Sequence, residues 1–268
     1  MKSSKDRNMS RREFVRSTTV AMAAASGCRF SEVFAQEETP EPGFVSLLDG
    51  KSLQGWRATM RPATDAQKQA LKKIFRIEDG AIVVDTLSVP VANRMSGYLA
   101  TEKKYRDFVL RLRMQIERKW DGDGNSGIEV RSGLQFDVHP PEPSMMGWIW
   151  DHGPNAAYGW LSPIKATMQD SFAAGGAWKY GKTATPPKGF KFYYADEKPG
   201  WNDVEITCRG LHFRFVLNGI VMSDFDGAGY LDVEARKNYH TTAPIMFQAH
   251  GKDGVTIRYK DIRIKEAR

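Results

Sequence analysis

Hydrophobic and polar residues alternate along most of the chain, and residues 124–139 show the pattern most clearly. Taken as two strands around a Ser132-Gly133 turn, one face of this stretch is apolar: Ile128, Val130, Leu134, Phe136 and Val138. The opposite face is polar: Glu129, Arg131, Gln135, Asp137 and His139. Because successive side chains of a strand point to opposite sides, the pattern predicts one core face and one face of titratable groups. We expect the second face to form the floor of a polar cleft.

Similar alternation elsewhere predicts an all-β domain. Strands are predicted at residues 44–48, 75–77, 81–84, 108–116, 204–208, 213–217 and 255–264. Asn218-Gly219, between two apolar residues, predicts a two-residue hairpin turn. One short helix is expected within residues 62–75, with Thr64 or Asp65 as its N-cap. Short strands with almost no helix indicate a sandwich of two antiparallel sheets.

Between His139 and Trp201 the alternation stops, and Pro, Gly and aromatic residues become frequent. A loop insertion of this length is typically functional in a compact domain. Its aromatic side chains offer flat faces that suit sugar rings: Trp148, Trp150, Tyr158 and Trp160. Each is equally consistent with a loop anchor. His152 is predicted either to bind the substrate or to make an ordinary hydrogen bond within the loop.

The first 35 residues predict an export signal. Residues 10–16 (SRREFVR) have the form of a twin-arginine motif, and an Ala-rich apolar run follows at residues 18–27. The run is too short to span a bilayer, so no transmembrane segment is expected. Cleavage is expected after Ala35, with lipid attachment at Cys28 as the alternative. We therefore expect a periplasmic or extracellular protein.

Loss of the signal changes the charge and the cysteine content. The formal net charge is +7, and residues 1–35 hold seven Lys or Arg and three Asp or Glu, so +3 remains. A mildly basic domain lacks the concentrated cationic footprint of a nucleic-acid-binding protein. Cys208 is then the single cysteine, on an apolar alternation typical of a core residue. Residues 36–43 are an acidic, proline-containing linker, and residues 44–268 are expected to form one domain.

Seven groups of residues follow one another through residues 43–265. They are GFVSLLDGKSLQGW, IEDGAI, GYLATEKKYRDF, GNSGIEVR, WNDVEI, LNG, and IMFQAHG with RYKDIRIK. None is specific alone, but the ordered set resembles the 3-keto-disaccharide hydrolase domain family. The resemblance implies a concanavalin-like jelly-roll β-sandwich whose concave sheet carries a sugar site.

The resemblance also implies which residues converge in that site. By matched position they are Asn125, Arg131, Gln135, Asp137, Gln248 and His250. Two positions depart from the family pattern. Gly133 stands where many relatives have Glu, and Glu129 stands where an aromatic or amide side chain is common. Either the carboxylate has moved across the cleft or the substrate differs.

The implied activity is cleavage of 3-keto-glycosides or 3-keto-disaccharides. A ketone at C3 acidifies the C2 proton, so a base removes it and the C1 substituent leaves by β-elimination, with or without hydration. We expect Glu129 or His139 as the base. Arg131, His250 or a divalent cation would hold the enolate oxygen. The sequence requires no cofactor, and Glu129, Asp137 and His139 are the candidate ligands for such a cation.

Two other classes of protein fit the same residues. An ordinary glycosidase would use Glu129 and Asp137 as the two carboxylates flanking the bond. A glycan-binding module would depend on the aromatic residues and would not need Glu129 or His139. The density of titratable groups around Glu129 favours an enzyme whose partner is an oligosaccharide or glycoside.

Overall fold

The computed structural model describes residues 41–141, 145–152, 160–162, 187–228 and 241–267. The predicted signal sequence and residues 36–40 of the linker lie outside the described residues. Tyr158 and the side chain of Trp160 lie outside them too. Within the described part of the chain, no helix has the length and apolar character needed to cross a membrane.

The described residues form fifteen strands, one α-helix and a short 3-10 helix (Val91–Asn93). The helix α1 spans Asp65–Ile74. The strands are β1 (Val45–Ser46), β2 (Trp56–Ala58), β3 (Phe75–Glu78), β4 (Ala81–Asp85), β5 (Gly97–Thr101), β6 (Phe108–Ile116), β7 (Ser126–Val130), β8 (Leu134–Val138), β9 (Ile149–Asp151), β10 (Trp160–Ser162), β11 (Asn202–Arg209), β12 (His212–Leu217), β13 (Ile220–Asp226), β14 (Met246–Ala249) and β15 (Thr256–Glu266).

The strands build two antiparallel sheets. The eight-stranded sheet has the order β13-β12-β11-β6-β15-β4-β3, and β1 pairs with β15. The seven-stranded sheet has the order β10-β9-β8-β7-β14-β5-β2. Each sheet also pairs strands that are distant in sequence, such as β6 with β15 and β7 with β14, as in jelly-roll sandwiches. The predicted fold class, an all-β sandwich with one short helix, is confirmed.

The core lies between the two sheets and follows from the alternation in the sequence. In β6 the inward side chains are all buried: Phe108, Leu110, Leu112, Met114 and Ile116. Phe136 of β8 meets Phe215 of β12 across the sandwich, with ring centroids 5.5 Å apart. Each fully buried side chain of this size contributes about 1.5–3 kcal/mol. Cys208 is buried, as predicted for a core residue.

Local signals are confirmed at the helix and at the hairpin. The Thr64 hydroxyl caps α1 by accepting a hydrogen bond from the Gln67 N–H at 3.2 Å. Asn218 and Gly219 have φ of 48° and 79°, as a two-residue turn with left-handed residues requires. That turn joins β12 to β13.

Two local predictions are wrong. Strands β9 and β10 lie in the region expected to lack regular structure, and they extend the seven-stranded sheet beyond β8. The turn between β7 and β8 is also longer than predicted, because it contains Arg131, Ser132 and Gly133. Arg131 and Ser132 have φ of 53° and 60°, in the left-handed region. The strand alternation therefore ends at Val130 and does not carry Arg131 to the polar side.

Candidate functional site

The outer side of the seven-stranded sheet carries a polar face, which we define by Tyr98, Glu129, Gln135, Asp137 and Gln248. Strand register brings these side chains together. Glu129 pairs with Gln135 on one side and with Met246 on the other, and Gln248 pairs with Tyr98. Their neighbours along each strand are buried in the core. Four strands, β5, β7, β8 and β14, thus supply one surface.

Glu129 lies near the middle of the polar face and is only 6% exposed. Burial raises the pKa of its carboxyl to about 7, and a hydrogen bond from Tyr98 opposes the rise. A carboxyl with this pKa is partly protonated and partly ionised at neutral pH. That state suits a group that removes and returns a proton.

Tyr98 was missed by the sequence analysis. Its hydroxyl is hydrogen-bonded to the side chains of Glu129 and Gln248. Burial and the Glu129 charge raise the pKa of Tyr98, so its phenol stays protonated and can donate. The alternation around buried Leu99 places Tyr98 on the outer side of β5. Its contact with Glu129 depends on the strand order β5-β14-β7, which no local pattern reveals.

Asp137 contributes a second buried carboxyl, which is 1% exposed. Burial raises its pKa well above the ordinary value, and the nearby Gln135 amide opposes the rise. The Gln135 contact falls outside ordinary hydrogen-bond geometry, so among the described residues neither oxygen of Asp137 has a well-formed hydrogen bond, and neither does Oε1 of Gln248. An unsatisfied buried polar group costs about 1–3 kcal/mol, so it is expected where a ligand completes the bonding.

Gln135 links the polar face to His152. A Cβ atom on Gly127 would lie 2.2 Å from Gln135 Cδ, so only glycine leaves room for the Gln135 side chain to cross this strand. Gln135 Oε1 lies 3.2 Å from His152 Nε2. Since an amide oxygen only accepts, Nε2 is the protonated nitrogen. Burial lowers the pKa of His152; Asp151 opposes this effect and the His250 charge adds to it.

The other predicted residues surround the polar face. His250 follows β14, near enough for its charge to affect His152, and its Nδ1 lies 2.5 Å from Asp253 Oδ2. His139 follows β8 and is buried. Asn125 precedes β7, and its backbone N–H donates to Asp253 Oδ2 at 3.4 Å.

Arg131 does not belong to the polar face, and its predicted position there is wrong. Its side chain is fully buried beside the loop between β5 and β6. Nε donates to the Arg106 carbonyl at 2.7 Å, and Nη2 donates to Asp107 Oδ1 at 2.7 Å. The guanidinium carbon lies 5.7 Å from the centre of the Phe213 ring. The left-handed turn directs Arg131 to these structural contacts, away from Glu129.

The two tryptophans differ in their surroundings. Trp150 pairs with Gln135 and is half-buried, with its ring 6.2 Å from that of His152. It therefore borders the polar face. Trp148 is only 4% exposed and packs in a small cluster with Met145 and Trp150. Trp148 thus has the position of an anchor, one of the two alternatives left open for it, and its buried ring does not favour stacking on a sugar.

The three candidate metal ligands, Glu129, Asp137 and His139, are not arranged together as a cation site. Within the described ranges, no group of three His, Cys, Asp or Glu side chains is arranged to hold a metal ion. For Glu129 and Asp137, the strand register explains why the two carboxyls do not face each other. Glu129 pairs with Gln135, whereas Asp137 pairs with Gly127, two residues further along each strand.

Two packed antiparallel sheets with a polar outer face define a β-sandwich domain with a candidate binding site. A family model described as the 3-keto-alpha-glucoside-1,2-lyase-like domain matches residues 43–265. The chain belongs to this family of carbohydrate-active domains. No curated protein sequence matches the chain.

Several solved structures match this chain at low identity and with TM-scores below 0.5. A proposed glycosyl hydrolase from Parabacteroides distasonis ATCC 8503 is 19% identical, with a TM-score of 0.47, over 84% of this chain and 94% of that one. The GH16 endo-β-1,3(4)-glucanase SCLam is 12% identical, with a TM-score of 0.44, over 85% and 93% of the two chains. The carbohydrate-binding module CBM66 from Bacillus subtilis is 11% identical, with a TM-score of 0.42, over 79% and 96%.

Proposed function

We propose that this protein cleaves the glycosidic bond of 3-keto-glycosides or 3-keto-disaccharides by C2 proton abstraction and β-elimination. The observation that carries the proposal is the buried Glu129 carboxyl, with a pKa of about 7, beside the Tyr98 hydroxyl. Such a carboxyl can remove a proton at neutral pH without being fully ionised at rest. Membership of a family named for lyase activity on 3-keto-glucosides supports the substrate class.

Three side chains carry out the steps of the proposed reaction: Glu129 as the base, Tyr98 as a hydrogen-bond donor and His250 as the acid. Ionised Glu129 takes the C2 proton, and the electrons of the C–H bond pass to the C3 ketone as an enolate. The Tyr98 hydroxyl, next to this base, donates to the C3 oxygen as its charge develops. The enolate then re-forms the ketone, a double bond forms between C1 and C2, and the C1–O bond breaks. Protonated His250 gives its Nε2 proton to the departing oxygen.

The raised pKa values of the two buried carboxyls argue against an ordinary two-carboxylate glycosidase. That mechanism needs one carboxylate that stays ionised while the other is protonated. Burial raises the pKa of both Glu129 and Asp137, so their surroundings do not single out one of them as the carboxylate that stays ionised. The third class, a glycan-binding module, gives no reason for a titratable Glu129 at the centre of the sheet.

Export is part of the proposal and rests on the twin-arginine form of residues 10–16. The mass of the protein purified from the periplasm of an expressing bacterium distinguishes signal-peptide cleavage from lipid attachment. A chain beginning at Gln36 indicates signal-peptide cleavage, and a lipid-modified Cys28 indicates anchoring. Retention in the cytoplasm of the unprocessed chain would contradict export.

The activity is tested with a 3-keto-glucoside and its unoxidised parent, each with and without a chelator. We expect cleavage of the keto compound alone, and slower cleavage when its C2 carries deuterium. Glu129→Gln should lower kcat by about 10²–10⁴-fold, the range for general-base catalysis. Glu102→Gln, an exposed carboxylate next to β5, is the matched control.

The other outcomes identify the alternatives. Loss of activity in His139→Ala with full activity in Glu129→Gln would transfer the role of base to His139. Equal cleavage of the parent glycoside would indicate an ordinary glycosidase. Glycan binding without cleavage of either compound would indicate a binding module and would contradict the proposal.

A further inference from the structure

Asp253 lies between two loops at the border of the polar face, and its side chain is 3% exposed. Oδ1 accepts a hydrogen bond from the Asp123 N–H at 2.8 Å. Oδ2 accepts from the Asn125 N–H at 3.4 Å, and it lies 2.5 Å from His250 Nδ1 in an ion-pair contact whose angle is not that of an ordinary hydrogen bond. One carboxylate therefore joins the segment before β7 to the histidine that follows β14.

The two loops that hold Asp253 are fixed to each other independently. Asp121 and Gly254 exchange backbone hydrogen bonds of 2.9 and 3.2 Å. The nearly buried Arg94 binds both oxygens of Asp121, at 2.6 and 2.7 Å. A Cβ atom on Gly122 would lie 2.4 Å from Asp253 Oδ1, so the backbone closes around this carboxylate. Asp253 thus has little freedom to turn away from His250.

We propose that Asp253 is a positioning residue that keeps a proton on His250 Nδ1 and thereby makes Nε2 the nitrogen that acts at the polar face. This inference rests on the proposed role of His250 as proton donor to the departing oxygen. At 2.5 Å an unprotonated ring nitrogen would set its lone pair against those of the carboxylate, which can only accept, so the nitrogen beside Asp253 must carry a proton. When His250 gives up one proton, the Nδ1 proton stays with Asp253 and the Nε2 proton leaves.

The substitution Asp253→Asn reverses this arrangement with almost no change in size. The amide oxygen is expected at the Oδ1 position, where it keeps the 2.8 Å bond from the Asp123 N–H. The NH₂ group then takes the Oδ2 position, where it gives up the long 3.4 Å bond from the Asn125 N–H and donates to His250 Nδ1. The neutral ring must therefore carry its proton on Nε2.

The tautomer of His250 is measured directly by long-range ¹H–¹⁵N correlation spectra of the folded protein. We expect the Nδ1–H tautomer in the wild type and the Nε2–H tautomer in Asp253→Asn. The wild-type spectrum already decides the main point, because a predominant Nε2–H tautomer there would overturn the proposal even if the variant does not fold.

Kinetics give the second readout. Asp253→Asn should lower kcat on the 3-keto substrate by about 10²–10⁴-fold, the range for loss of general-acid catalysis, with KM changed less than about threefold. In a His250→Ala background the same substitution should change kcat less than about threefold, since residues that act as a unit are not additive. Independent effects in the two backgrounds would contradict a positioning role.

Asp121→Asn is the matched control, because it makes the same chemical change in the same pair of loops without touching His250. It should lower the Tm by weakening the contact with Arg94, and leave the His250 tautomer unchanged. A reversed tautomer in this control would mean that loop distortion alone causes the effect. If the tautomers behave as expected but no keto substrate is cleaved, the proposed function fails and the positioning of His250 stands.

Discussion

The substitution Glu129→Gln should stabilise the folded protein at alkaline pH while it removes activity. The Glu129 pKa rises from an ordinary 4.5 to about 7 on folding, because the carboxyl is buried. The folded protein therefore binds more protons than the unfolded chain between these pH values. It follows that the Glu129 contribution to stability falls as pH rises through this window. Glutamine keeps the size of the side chain and its hydrogen bond from Tyr98, but it does not titrate.

The size of the effect follows from the same two pKa values. Each pH unit of difference corresponds to about 1.4 kcal/mol, so ionised Glu129 destabilises the folded state by about 3 kcal/mol. Below pH 4.5 the carboxyl is protonated in both states and this term vanishes. The difference in unfolding free energy, variant minus wild type, should therefore increase by about 3 kcal/mol between pH 4 and pH 9.

Urea unfolding followed by tryptophan fluorescence at both pH values measures this difference. Comparison at two pH values removes any constant effect of the amide, and Asp137 titrates in both proteins and cancels. Glu102→Gln controls for the general effect of replacing a carboxylate. A change below about 1 kcal/mol would refute the argument, because the carboxyl would then have no raised pKa to support its role as a base.

Three further predictions follow from the site geometry. Tyr98→Phe removes a hydrogen bond that lowers the pKa of Glu129, so the rise of kcat/KM with pH should move to higher pH. Arg131→Ala should lower the unfolding free energy by about 2–3 kcal/mol, since hydrogen bonds of charged groups are worth about 1.5–3 kcal/mol, and should leave KM unchanged. Trp150→Ala should raise KM, whereas Trp148→Ala should cost about 3–5 kcal/mol of stability and leave the KM of the folded fraction unchanged.

What could be predicted from the sequence is what nearest neighbours along the chain determine. The inward residues of β6 follow from alternation, and the cap at Thr64 follows from hydroxyl chemistry. The turn at Arg131 did not follow, because nothing in the alternation signals that a non-glycine residue adopts a left-handed backbone there. A strand pattern continued through such a turn assigns the wrong face to one residue, here an arginine expected to bind an enolate.

The contact between Tyr98 and Glu129 is beyond local prediction for a different reason. The two residues lie on β5 and β7, which are separated in the sheet by β14 from near the C-terminus. A pattern within one strand gives the outer side of that strand and nothing about which strand lies beside it. The acid–base geometry of the site therefore depends on the order of the strands.

That order also explains why the carboxyl at position 129 is buried and has a raised pKa. Strand β7 is the middle strand of the seven, with β8 and β14 hydrogen-bonded on either side. A side chain on its outer side is flanked by those of two neighbouring strands, and burial follows from its position. Position 133, where this chain has glycine, lies in the turn at the end of the same hairpin. A carboxyl there would have strand neighbours on fewer sides and a smaller desolvation penalty. A carboxyl at position 129 thus lies where the sheet itself raises its pKa towards neutrality.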